Sequence, residues 1–160
     1  MASETVSIEI REAVIDEWPI VHRIMREAFE EYRGVLHPPS GALREELEDT
    51  IRKLSPRGGA VLAIAEGEAI GSAQYRVEDD YVYIGRISVV ASARGRGIGK
   101  QLVRFLEKLA AGRGLSEVRL EVRLSLPANI QFYERLGYRV IIECRYPDDS
   151  DGWYIMAKAC

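Results

Sequence analysis

The chain reads as an α+β fold of the three-layer kind: a mixed, mainly antiparallel sheet of about seven strands with helices on both faces. Three observations predict it. Segments alternating with period two are interspersed with segments of helical period rather than grouped apart. Three consecutive strand-like segments joined by tight turns make an antiparallel meander. A strongly amphipathic stretch then lies between two strand-like segments, forming a βαβ unit with at least one parallel pair. The 160 residues suit one domain over 1–160, long enough to bury a core without a disulfide or metal.

The elements follow in order. Residues 6–10 (VSIEI) alternate as a short strand. Asp16 is placed to cap a helix with Pro19 in its first turn, where a missing N–H costs little. Ile20, Ile24, Ala28 and Val21, Met25, Phe29, Tyr32 recur on one face of it. Gly34 and HPPSG at 37–41 end this helix. A second is predicted over 41–54, capped by Ser40, with Leu43, Leu47, Ile51 and Leu54 on its apolar side. The meander occupies 60–66, 70–77 and 81–90. After a glycine- and arginine-rich loop at 92–97, an amphipathic helix spans 98–111, with Leu102, Val103, Leu106, Leu109 and Ala110 on one side. A strand at 117–124, a short helix at 127–137 and two strands around PDDSDG close the chain.

Composition narrows the function. Hydrophobic residues make up 47% and charged residues 29%, which excludes disorder, collagen and coiled coil. The net charge of −3 argues against a general nucleic-acid binder. No run of apolar residues approaches the ~20 that span a bilayer, and the first ten residues lack a basic, then apolar, leader pattern. Two cysteines, Cys144 and Cys160, are too few for a disulfide framework. A soluble cytoplasmic protein is expected.

The chemistry concentrates in ISVVASARGRGIGKQL, residues 87–102. A strand runs into Arg94-Gly95-Arg96-Gly97-Ile98-Gly99, which opens the amphipathic helix. Glycines admit a ligand close to the backbone, and a helix N-terminus offers free N–H groups and the positive end of its dipole. Residues 85–113 carry seven basic side chains against Glu107 alone, on a chain that is acidic overall. A local basic patch of this kind suits a phosphate-bearing ligand; an ordinary glycine turn before a solvated basic helix is the bland alternative. A Walker loop fails at Arg94 and Gln101, and a dinucleotide fingerprint fails at Lys100.

These residues resemble motif A, [QR]-x-x-G-x-[GA], of the GNAT superfamily of acyl-CoA-dependent N-acetyltransferases. The resemblance covers nearly the whole chain. The element order agrees, and LEVRL…NIQFYERLGY at 120–138 is similar to a later motif of the family. It implies a GNAT-like sheet and an enzyme that moves an acetyl group from acetyl-CoA to a primary amine in a ternary complex, without a metal. It implies that the backbone of Ile87, Ser88 and Val89 holds the pantetheine arm like an added strand, with a bulge splaying this strand from the next. The amides of 95–100, spanning Gly95, Arg96, Gly97, Ile98, Gly99 and Lys100, would hold the pyrophosphate beside Arg94. Tyr133 would act as general acid, with Ser88 or Val89 supplying an oxyanion N–H. The LEVR segment resembles that of ribosomal-protein and N-terminal amine acetyltransferases, which makes Glu121 the candidate base; a solvated strand face and a water chain remain open beside it.

The sequence departs from the family at Leu126, where an asparagine is usual, and Asn129, one helical turn before Tyr133, is the candidate replacement. Ala91 stands where proline is common. Residues 32–40, His37 among them, and the acidic loop Asp148-Asp149-Ser150-Asp151 are expected near the acceptor entrance. That loop would suit a cationic acceptor such as an amino terminus or polyamine, or would simply be a solvated hairpin tip. A small-molecule or peptide amine is the expected partner, with no nucleic acid or membrane, and a homodimer is an option. The competing reading is a catalytically silent acyl-CoA-binding sensor or interaction module.

Overall fold

A computed structural model describes residues 7–160; Val6, and with it the start of the first expected strand, lies outside the described residues. The elements are β1 (Ile8–Glu12), α1 (Trp18–Phe29), α2 (Leu47–Leu54), β2 (Gly58–Ala65), β3 (Glu68–Val77), β4 (Tyr81–Val89), α3 (Ile98–Gly112), β5 (Glu117–Arg123), α4 (Pro127–Arg135), β6 (Arg139–Arg145) and β7 (Gly152–Ala159). Among the described residues one seven-stranded sheet contains every strand, in the order β1-β2-β3-β4-β5-β7-β6, and only β4 and β5 run parallel, joined by α3. The expected α+β architecture is the one observed.

Helices cover the two faces differently. Val21 and Ile24 of α1 and Leu54 of α2 pack on Ala60 and Leu62 of β2. On the opposite face Leu102, Leu106 and Ala110 of α3 pack on Val61, Ala73 and Ile84, and this larger core extends under α4 to Val118, Leu120 and Met156. The alternation of β5 shows the division: Val118, Leu120 and Val122 are buried, whereas Glu121 is exposed on the α1/α2 side.

Two local expectations are corrected. Asp16 caps nothing. A 3-10 turn at Ile15–Glu17 precedes α1, and it is Glu17 that accepts from the Val14 amide at 3.0 Å. The carboxyl of Glu17 is held down to about 2 by Arg11, whose guanidinium hydrogen-bonds it, and by that amide. The helix expected over 41–54 is broken. Ser40 caps a 3-10 turn at Gly41–Leu43, and α2 starts only at Leu47. Thr50 and Leu54, not Ile51, face inward from α2. The break buries Glu45, a charge that a continuous apolar stripe would not have admitted.

Candidate active site

The sheet opens at its middle. β4 and β5 pair only over Tyr81–Tyr83 and Glu117–Arg119, although both strands continue beyond. The cause lies in β4. Ser72 faces Ser88 while Gln74 faces Gly85, so two residue steps on β3 match three on β4. This bulge bends the strand and strengthens its twist. Arg86, inside it, adopts φ +52°, a conformation that costs a non-glycine residue about 1–3 kcal/mol and needs support from its surroundings.

That support is a buried carboxylate. Glu45, 7% exposed, accepts from Arg86 Nε at 3.1 Å, from Lys53 Nζ at 2.8 Å and from Gln74 Nε2 at 3.3 Å, and the Thr50 hydroxyl also donates to it. Burial alone would raise its pKa, but the hydrogen bonds from Lys53 and Thr50 and the charges of Lys53 and Arg86 outweigh that and bring it to about 2. The Arg86 guanidinium also lies 6.0 Å from the Phe29 ring centroid.

Beyond the bulge the facing edges of β4 and β5 carry unpaired backbone groups. Val90 donates to Ile70 of β3. By strand alternation Ser88 also faces β3, and the Val89 N–H points into the seam. Of the two oxyanion donors suggested by sequence, Val89 therefore has the suitable direction. The Ser88 hydroxyl is turned inward, donating to the Arg86 carbonyl at 2.8 Å.

A cavity of about 490 Å³ fills the seam and its mouth. Tyr133 reaches it from α4, on the α3 side of the sheet, and Glu121 from β5, on the other side. A closed sheet would hold these two apart; the seam puts both on one space. Burial pushes the Tyr133 hydroxyl above the ordinary tyrosine range, with Tyr32 adding to the effect, so it stays protonated. Glu121 lies beside Tyr83, whose hydroxyl is raised by burial and then by the carboxylate, against Arg86 and Arg76. Asn129 lines the cavity one helical turn before Tyr133, and Tyr32, raised by burial with Asn129 opposing, stands across from it.

The loop after β4 has the expected cradle geometry. Gly95 and Gly97 take φ +81° and +74°, and the space where their side chains would stand is open. Gly97 is the N-cap of α3. Among the described residues no backbone carbonyl accepts from the amides of 95–100, and the first such bond after the loop is Gln101 to Gly97. Arg96 and Lys100 are exposed and make no ion pair among the described residues. Arg94 is occupied differently: its guanidinium spans to Glu31 and to the Ala28 carbonyl, and its Nε donates to Val89 at 3.2 Å. It fastens α1 to the end of β4 and walls the cavity.

A family model of the acetyltransferase (GNAT) family matches residues 18–138, which includes the seam, the cradle and Tyr133. The chain belongs to that family. As a GNAT enzyme it is an acetyltransferase with acetyl-CoA as cosubstrate, and the free amides, the open space over two glycines and the unpaired strand edges fit such a ligand. The chain is 30% identical over 101 residues to an uncharacterized N-acetyltransferase, YjcF, of Bacillus subtilis, covering 63% of this chain and 70% of that protein. It spans 54% and 39% of two further relatives. Among solved structures, the ribosomal-protein-S18-alanine N-acetyltransferase of Escherichia coli superposes with TM-score 0.79 at 22% identity, covering 96% of this chain and 94% of that one. An N-acetyltransferase of Thermoplasma acidophilum in complex with coenzyme A gives 0.78 at 23% identity, with 96% and 99% covered. These likenesses establish the GNAT fold.

The acidic loop spends part of its charge inside the protein. Asp151 is buried against Arg123 at 3.1 Å and Ser125 at 2.6 Å, Asp149 lies 3.5 Å from Arg145, and Asp148 holds Ser150 and lies 3.8 Å from His37. Arg123 also donates to the carbonyls of Pro38 and Pro39 at 2.7 and 3.2 Å, tying the α1–α2 connection to β5 and β7.

Tyr83, Arg86, Glu45 and Lys53 were not singled out from the sequence. A glycine followed by a charge within the strand at 81–90 is a bulge signal that points to Gly85-Arg86. Nothing in the sequence pairs Glu45 with Arg86, which lies 41 positions away.

Proposed function

We propose that the chain acetylates a primary amine by direct attack on the thioester of acetyl-CoA in a ternary complex. The observation that carries this reading is the seam that brings Tyr133 and Glu121, from opposite faces of the sheet, onto one cavity. The backbone of Ile87, Ser88 and Val89 extends along the pantetheine arm, and the amides of Gly95 to Lys100, with Arg96 and Lys100, hold the pyrophosphate at the start of α3. Arg94 and Asn129 border the same path. Residues 1–160 work as one catalytic domain.

An alkylammonium with a pKa near ~10 is no nucleophile. Glu121, exposed on the acceptor side, takes its proton directly or through water. The amine nitrogen then bonds to the thioester carbon, and the Val89 N–H stabilises the developing oxyanion. As the carbon–sulfur bond breaks, the protonated Tyr133 hydroxyl supplies the proton that the thiolate requires, and the second proton, shed by the newly acylated nitrogen, restores that hydroxyl through water. The products are an N-acetylated amine and free CoA. A cytoplasmic setting suits the free Cys144 and Cys160. The exposed Val140 and Ile142 on the edge strand β6 support self-association.

The test is release of CoA thiol from acetyl-CoA across a panel of amines. Tyr133→Phe is expected to slow release about 100-fold or more, in the range of a lost general acid, with CoA affinity unchanged. Unchanged turnover would remove Tyr133 from this role. Binding without release by the unaltered chain would leave only a silent acyl-CoA-binding module.

A further inference from the structure

A second pocket of about 410 Å³ adjoins the seam on the α1/α2 face, between α2, β3, β4 and β5. It shares Tyr83, Gly85, Arg86 and Glu121 with the first cavity and continues to Lys53, Gln74 and Arg76. Its size is that of a small-molecule site, and it meets the cosubstrate cavity where the acetyl group is transferred in the reading above.

The charges in it are unequally distributed. Lys53 and Arg86 share one carboxylate, that of Glu45. Two cations against one anion leave one positive charge in excess at this wall. Arg76 adds none, because Glu78 holds it at 2.8 Å. Lys53 is half-buried, and desolvation lowers its pKa against the pull of Glu45, so a further anion beside it would be favoured. At the other end Glu121 has no ion-pair partner among the described residues, and its neighbour is the Tyr83 hydroxyl. The pocket is therefore bipolar, with a surplus cation at one end and a free carboxylate at the other. The buried Gln74, 3% exposed, gives its Nε2 to Glu45, while its Oε1 has no donor.

We propose that the acceptor of this enzyme is an amine that also carries an oxyanion, a carboxylate or phosphate held by Lys53 and Arg86 while its amino group faces Glu121. This specificity rests on the acetyl-transfer reading and names its substrate class. A polyamine fits poorly, since its second cation would stand beside Lys53 and Arg86. The acidic hairpin does not counter this, because Arg123 and Arg145 already neutralise it in part.

The experiment measures thiol release by the full chain at saturating acetyl-CoA. Acceptors are amino acids and dipeptides, the same compounds as carboxamides, an aminoalkyl phosphate, and putrescine and spermidine. Carboxylates or the phosphate are expected to exceed the matching carboxamides at least tenfold in kcat/KM, and the two anionic arms decide which oxyanion is preferred. Lys53→Met should lower kcat/KM for the anionic amines at least tenfold more than for the matching carboxamides, and Lys53→Arg should restore the preference. Carboxamides or polyamines turned over as well as the anionic amines would overturn the specificity and leave acetyl transfer standing. No release from any acceptor, with thermal stabilisation by CoA intact, would overturn both.

Discussion

The two ends of β4 do opposite work. From Tyr81 to Tyr83 the strand is zipped to β5 and its inward side chain, Val82, sits in the main core. From Ile87 to Val89 the same strand has lost β5 and presents bare backbone to a cavity. Between them lie one bulge and one arginine in a left-handed conformation. The zipped end draws its stability from apolar burial, which is insensitive to pH. The open end depends on a buried ion cluster, because strand edges without hydrogen-bond partners do not hold themselves apart at no cost. The candidate site of this chain is thus a fault in its sheet, bordered by a buried ion cluster.

The contrast can be broken most severely at its chemistry: Tyr133→Phe, with the loss of about two orders of magnitude given above, should leave both ends of β4 intact. The next largest effect concerns the ion cluster. The Glu45 carboxyl is depressed in the folded chain, so the stability it contributes is present above its unfolded pKa near ~4.5 and is lost as pH falls toward about 2. A shift of this size corresponds to about 3 kcal/mol. Urea unfolding of Glu45→Gln at pH 7 is expected to show a loss of that order, shrinking on acidification toward pH 2–3 as the unaltered chain loses the same term. An equal loss at both pH values would mean that Glu45 acts by packing alone.

Gly97→Val should weaken CoA binding at least tenfold, measured by calorimetry. Its φ of +74° strains a branched residue, and the new side chain would fill the open space that the proposed reading gives to the phosphates. Gly99→Ala should change affinity less than twofold, because a Cβ there meets Phe132 and Ile87 at 3.7 and 4.0 Å, ordinary contact distances. If both glycines behave alike, the ligand does not lie against the N-cap of α3.

Much of this was open to a reading of residues alone, and the failures share a cause. The elements of strong period, such as α3 and β5, lie within a residue or so of expectation. The helix expected at 41–54 fails because its apolar spacing continues through Arg44 to Glu46, where the backbone turns to bury Glu45. Asp16 fails because a capping residue is recognised only once the helix start is known, and a 3-10 turn moved it. For the acidic hairpin the sequence left a cationic acceptor and a solvated tip both open, and the structure adds that Asp151 is buried against Arg123 and Ser125 while Asp148 and Asp149 are exposed.

By itself the sequence determined the order and type of the elements, the glycine loop that opens α3 and the family. All three are written in contiguous residues: periodicity decides which face is buried, and a glycine loop opening a helix frees its amides wherever it occurs. Only the tertiary structure decided that β4 and β5 part after Tyr83 and that Glu45 anchors the bulge. It alone brought Lys53, Arg86 and Glu121 around one pocket. Those facts depend on which side chains meet across the sheet, and Coulomb attraction and desolvation act through space, without regard to distance along the chain.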